Sequence, residues 1–225
     1  MSIVKSESLK THNHRKIYHD IYQIKPNQTI ILLLPELKYV SQRMLTSYHM
    51  NWDGRPEPKD EKWLAWKVVN QLKQITKEEL EYKFKLMPPE IVWQEKKEDD
   101  ISIVDQMMLV ADCVTDEMFA RAIDRVKKNL RINELPPITF VKASPTLCAQ
   151  RLHIGHYQHT DKTLQELKDD IEKKGYRTKS THREIYLTPA MDCHPPETWK
   201  TIVRVEVEKN QYRDCKRKVI GTHNF

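Results

Sequence analysis

The chain has 225 residues, a formal net charge of +6, four cysteines and four glycines. A chain of this length buries roughly 70% of its unfolded surface and needs no disulfide staple. Its longest apolar run, residues 30–34, closes at Pro35, far short of the roughly 20 residues of a membrane-spanning helix.

Cys113, Cys148, Cys193 and Cys215 are far apart and form no CxxC pair, which argues against a zinc knuckle or a thioredoxin-like motif. The glycines, Gly54, Gly155, Gly175 and Gly221, build neither a GxGxxG turn nor a P-loop, so no nucleotide is cradled by that route. The N-terminus does not read as a signal peptide, so free thiols and a soluble cytoplasmic protein are expected. Much of the basic excess sits at the two ends, and through the middle Lys and Arg are interleaved with acids. That pattern reads as a solvated mixed surface and argues against nucleic acid.

Residues 1–28 read as a polar, loose or partly helical lead-in. Residues 29–34 form a compact apolar strand, with 37–48 as its hairpin partner or continuation. Gly54, Pro56 and Pro58 make 51–60 a loop. Leu64, Val68, Leu72 and Ile75 share a helical face within 59–75, flanked by Trp63 and Trp66. Short strands at 82–86 and 90–94 surround Pro88-Pro89, and 101–110 is a buried strand. Thr115 caps the next helix, with Asp116 and Glu117 in its first turn and Met118, Ala122, Val126 and Leu130 as its buried stripe. Residues 138–141 and 147–154 are expected to pair as strands. Leu164, Leu167 and Ile171 line a further helix that stops at Gly175 in the left-handed conformation. Strands at 182–187 and 201–207 follow, and 208–225 reads as a polar basic tail.

The order strands, helix, two strands occurs twice about a linking helix. A short echo, Glu90-Ile91-Val92-Trp93 against Glu184-Ile185-Tyr186-Leu187, supports an internal duplication. The fold class is therefore α+β: two βαββ modules with pseudo-twofold symmetry and a ligand cavity between antiparallel sheets. One domain is expected over 29–207, with modules at about 29–112 and 138–207 and the linking helix at 115–130.

Strand alternation puts His182, Glu184 and Tyr186 on one face. Glu184 is either a pocket carboxylate, able to hold a cation or orient a water, or an outward strand residue in water. Tyr157, after the corner Gly155-His156, either offers its hydroxyl to a substrate carbonyl or merely packs. Of the five tryptophans, Trp93 stands on the strand that echoes Glu184, where an indole can stack on a flat ligand or a cation; Trp63 and Trp66 read as core. His153, His156 and His159 have HxxHxxH spacing, but a strand that turns at Gly155 does not make them converge, so no metal site is expected.

The run Leu147-Cys148-Ala149-Gln150-Arg151-Leu152-His153-Ile154-Gly155-His156-Tyr157, then Gly175-Tyr176 and Glu184-Ile185-Tyr186-Leu187, resembles the GyrI-like small-molecule-binding family. Met87-Pro88-Pro89-Glu90-Ile91-Val92-Trp93 looks like its tryptophan motif, and Val114-Thr115-Asp116-Glu117-Met118-Phe119 like the start of its linking helix. The similarity spans about residues 29–207. It implies two βαββ (SHS2) modules around a cavity for hydrophobic, flat or cationic small molecules, with no cofactor. Some relatives hydrolyse cyclopropane-containing alkylators, some serve multidrug-sensing regulators, and some act on a topoisomerase. No helix-turn-helix segment is evident, so a stand-alone protein is expected. By position, Glu184 matches the family's pocket carboxylate, Tyr157 its corner tyrosine and Trp93 its first tryptophan. The implied roles are catalytic for Glu184 and Tyr157, and ligand-binding for Trp93, Tyr186, Glu90 and His182. His156 stands where a proline is usual, Gln94 where a second tryptophan is common, and Arg183 where a histidine is frequent. Three functions follow: a hydrolase of cyclopropanoid electrophiles, a binding module without catalysis, and a protein-binding inhibitor that uses the basic tail.

Overall fold

The computed structural model describes residues 9–47, 62–97, 101–188 and 195–210. The expected loop at 51–60, Trp52, Cys193, Cys215 and the tail beyond 210 lie outside the described residues. In chain order the elements are β1 (Thr11–His12), α1 (His14–Ile17), α2 (His19–Tyr22), β2 (Thr29–Leu34), β3 (Leu37–Ser47), α3 (Ala65–Leu80), β4 (Lys83–Phe84), β5 (Pro89–Lys96) and β6 (Ile101–Leu109). After α4 (Asp116–Leu130) come β7 (Ile138–Ala143), β8 (Thr146–Ile154), α5 (Thr160–Lys173), β9 (Tyr176–Thr178), β10 (Arg183–Tyr186) and β11 (Lys200–Lys209). The class is α+β, as expected. Among the described residues no helix is long and apolar enough to cross a membrane.

The large sheet runs β2-β8-β11-β10-β5-β6-β3-β7, with β9 also on β11. This corrects the expected pairing of β7 with β8 and removes the hairpin alternative for β2 and β3. β2 does not pair with β3, nor β7 with β8; instead β2 pairs with β8 and β3 with β7, all antiparallel. The links explain it. A two-residue hairpin needs positive φ at one or both turn residues. Neither Pro35-Glu36 nor Ser144-Pro145 has it, so the chain runs on without folding back. Each link places strands from opposite ends of the sheet within roughly 11 Å of each other. The sheet must therefore curl until its edges approach.

The two halves exchange strands across a pseudo-twofold axis that passes between β5 and β10. Matching the two links and following the ladders outward makes Ile91 the counterpart of Glu184, and these two residues also face each other directly in the β5–β10 ladder. The sequence echo, which matched Glu90 with Glu184, is thus off by one residue. One step along a strand reverses the face, so Glu90 and Glu184 point to opposite sides of the sheet.

The outer face is covered by helices. Val68, Val69, Leu72 and Ile75 of α3 and Met118, Ala122 and Val126 of α4 pack on Val40 and Met108. Leu167 and Ile171 of α5 pack on Ala149, Val203, Val205 and Val207. Thr115 caps α4 by accepting from the Met118 N–H at 3.3 Å. Helix α3 begins at Ala65, later than expected, and Leu64 gives it no side-chain cap. Gln42, fully buried on β3, fills that role: its Oε1 accepts from the N–H groups of Leu64 (2.8 Å) and Ala65 (3.1 Å).

The inner face encloses Leu34, Leu37, Tyr39, Met107, Leu109, Ile185 and Ile202. Ile21 and Tyr22 of α2 pack into this cluster, so part of the expected lead-in belongs to the core. Strand β11 reaches Lys209, two residues into the expected tail.

Candidate functional site

Between the helices of the two halves the outer face is left with an aromatic patch. Met44, Ile91, Val104 and Tyr186 form its buried base, with Trp93, Trp63 and Tyr157 against them. Strand β10 sets Glu184 and Tyr186 side by side on this face. Glu184 is 3% exposed. The Tyr186 hydroxyl donates to Glu184 Oε2 at 2.5 Å, a charge-assisted bond of the strong class. His182 Nε2 stands 3.5 Å from the other oxygen, Oε1.

Trp93 arrives from β5, where the register against β6 shifts between Trp93 and Glu95. Such a bulge re-aims a side chain. The indole stacks on the His182 ring with centroids 6.2 Å apart and planes at 20°, and the backbone N–H of Trp93 donates to the His182 carbonyl at 3.4 Å.

Tyr157 opens a short 3-10 turn, Tyr157–His159, between β8 and α5. Gly155 makes the corner at φ 130°, a region open mainly to glycine. His153 fixes the corner from below: Nδ1 lies 2.8 Å from Thr163 Oγ1, and Nε2 lies 3.0 Å from the His156 carbonyl. His156, the residue in the proline position, serves as the cap of the turn, with its ring accepting from the Gln158 N–H at 3.2 Å. The Tyr157 ring meets Tyr186 edge-on, with centroids 6.3 Å apart, and stacks on Trp199 at 5.4 Å with planes 4° apart.

These groups surround an outer cavity of about 180 Å³, lined by Trp93, Tyr157, His182 and Glu184 and rimmed by Lys96 and Asp161 among others. Four of the six residues singled out from sequence therefore meet at one cavity, and Tyr186 reaches it through its bond to Glu184. Glu90 does not. It faces inward with no exposed surface, accepting from Arg183 Nη1 at 2.9 Å and from the Tyr22 hydroxyl at 3.3 Å. Gln94, in the place of a second tryptophan, donates to Asp105 at 2.8 Å on the surface. Sequence reasoning missed Trp199. It stands just after a 3-10 turn, Pro196–Thr198, and no periodicity tied it to Tyr157.

Chemically, the arrangement is a water-excluded carboxylate held by a phenol, beside an imidazole and two aromatic walls. It can hold a cation or an electron-poor ring, or orient a water for proton abstraction.

No protein-family model and no curated protein sequence matches the chain. Solved structures do. A hydrolase from Listeria innocua aligns at TM-score 0.73 and 22% identity, over 88% of this chain and 100% of that one. An uncharacterized conserved protein and a further hydrolase structure from the same organism align at TM-score 0.71 and 20% identity, each over 87% of this chain and 99% of theirs. At these identities the likeness shows a shared fold across nearly the whole described chain.

Proposed function

We propose that this protein is a GyrI-like small-molecule-binding protein that adds water to an electrophilic, flat substrate held in the outer cavity. The observation that carries the reading is Glu184: a carboxylate buried at the cavity wall, with one oxygen engaged by Tyr186 and the other turned toward His182. Burial of a carboxylate without a salt-bridging Lys or Arg is costly, and such groups concentrate at functional sites. Two of the fold neighbours are hydrolases, which supports the reaction class. The cavity wall also favours cationic or electron-poor ligands, because Glu95, Asp161 and Glu184 outnumber Lys96.

The substrate class is a cyclopropane fused to a dienone. Tyr157 donates a hydrogen bond to the dienone carbonyl. Glu184 takes a proton from water as the water oxygen attacks a ring methylene. The strained C–C bond breaks, its electron pair moves through the ring onto the carbonyl oxygen, and the proton held by Glu184 is returned to the product. The product gains one water, with no oxidant or reductant. Trp93 holds the flat system against the site. The cavity is smaller than the roughly 300–1,000 Å³ of drug-sized sites, so it takes the reacting ring while the rest of the molecule lies along the rim beside Lys96 and Gln158.

The test is incubation with a duocarmycin-type cyclopropanoid, followed by mass spectrometry, with Glu184→Gln in parallel. Product one water heavier, formed in excess over protein and lost in the variant, is the expected result. Unchanged compound at all times, with binding retained, replaces the hydrolase by a binding protein. Full turnover in Glu184→Gln removes Glu184 from the mechanism.

A further inference from the structure

The inner face of the curled sheet holds a second cavity, of about 540 Å³, lined among others by Leu34, Leu37, Tyr39, Val92, Arg183 and Arg204. Arg204 is 2% exposed. Its Nε donates to Gln150 Oε1 at 2.8 Å, and Gln150 is itself fixed by donating to the Ile21 carbonyl at 2.9 Å. Both outer nitrogens of Arg204, Nη1 and Nη2, are buried with no hydrogen-bond partner; the Tyr39 hydroxyl is buried too, with Arg183 beside it and no acceptor for its own proton. Burial first, then the charge of Glu90, pushes the Tyr39 phenol well above its usual range, so it remains protonated and can donate. Guanidinium has no acceptor capacity. The missing partner of this cluster is therefore an acceptor.

Charge points the same way. Glu90 is engaged by Arg183 at 2.9 Å. Among the described residues Arg204 has no carboxylate at ion-pair distance, and a buried charge left unpaired is costly. Lys179 and Glu206, of opposite sign, also line the cavity and cancel. One positive charge is left over.

We propose that the inner cavity binds an organic monocarboxylate, its head group accepting from Arg204 and Tyr39 and its apolar body lying along Leu34, Leu37 and Val92. A single surplus guanidinium matches a single negative charge, and its fork matches the two oxygens of a carboxylate. The cavity falls within the roughly 300–1,000 Å³ range of sites for drug-sized organic molecules, far larger than an inorganic ion needs, and part of its wall is apolar. Arg204 lines the cavity while its Nη atoms expose almost no surface, so seating the head group requires the Arg204 side chain to turn toward it. This site is independent of Glu184, which faces the other side of β10.

The test is isothermal titration calorimetry on the full chain with 4-phenylbutyrate, 4-phenylbutanol and inorganic phosphate. The carboxylate is expected to bind at one site at least about tenfold more tightly than the alcohol, a difference of about 1.4 kcal/mol, and phosphate to give no comparable heat. Arg204→Gln should erase the preference for carboxylate over alcohol, and Tyr39→Phe should weaken the carboxylate severalfold. Equal affinity for acid and alcohol, no binding at millimolar carboxylate, or phosphate binding as tightly overturns the proposal. Should Arg204→Gln fail to fold, Tyr39→Phe and the cavity-filling Val92→Phe decide it: unchanged affinity in both overturns it too.

Discussion

Replacing Glu90 by glutamine tests the charge arrangement of the inner face. Glu90 has no exposed surface and accepts from both Arg183 and Tyr22. Glutamine keeps the shape and an accepting oxygen but removes the charge. Arg183 and Arg204 are then two cations in the interior without a fully buried carboxylate. Arg183 will not simply shed its proton: burial opposes its charge, the Glu90 carboxylate more than offsets this, and the net direction is upward. Removing one partner of a fully buried pair costs about 3–5 kcal/mol, and the Arg183 side chain, 22% exposed, is only partly buried. The retained neutral hydrogen bond places this variant at the lower end, about 3 kcal/mol. With a slope of about 2–3 kcal/mol per molar urea, the unfolding midpoint falls by about 1–1.5 M. Urea titration followed by tryptophan fluorescence and circular dichroism reads it directly. The double variant Glu90→Met with Arg183→Met removes both charges and should lose less than Glu90→Gln alone. A loss below about 1 kcal/mol in the single variant, or a double variant that loses the sum of the two single Met changes, refutes the buried pair.

Gln42→Leu leaves two buried N–H groups at the start of α3 without an acceptor and should cost about 2–4 kcal/mol in urea unfolding; an unchanged midpoint would mean that α3 does not depend on this cap. Tyr186→Phe removes the 2.5 Å bond to Glu184 and should lower turnover of a cyclopropanoid roughly tenfold or more, with little change in ligand affinity measured by fluorescence quenching. Equal turnover would detach Tyr186 from the site. His14 is 2% exposed, and burial lowers its pKa below 6.5 although Asp112 opposes this. Its neutral form is the one folded. The unfolded chain therefore takes up a proton on His14 at a higher pH than the native protein, so stability should fall as pH drops below about 6.5. A His14→Gln variant with the same pH dependence over that range would contradict this.

Much of the fold was legible because its signals are local. The Thr115 cap, the stripe of α4, the apolar helix face of α5 and the glycine at its end each announce themselves within a few residues. Strand pairing was not legible. The two links that carry the chain across the sheet look like hairpin turns until one asks where a positive φ would come from. At the site, period-2 alternation along β10 was enough to group His182, Glu184 and Tyr186. It could not say that Glu184 is buried, because that depends on α5 and the corner at Gly155 closing over the face. Glu90 was misplaced because a four-residue resemblance carries no register. The inner charge cluster escaped notice because Glu90, Gln150, Arg183 and Arg204 come from four different strands.

The strand exchange has a consequence for ancestry. A half-length chain holding only one module would leave three ladders unmade, β2–β8, β3–β7 and β5–β10, and the nearest source of complementary strands is a second copy of itself. The plan seen here is that of a symmetric homodimer with its two subunits on one chain. In such a dimer the residues at 91 and 184 would be identical and face each other across the axis. Two glutamates there would repel, so the symmetric ancestor could not keep a carboxylate at that spot without a shared proton or a bound cation. Joining the halves in one chain lifts that restriction: one position can be apolar, as Ile91 is, while the other carries a single negative charge beside the axis.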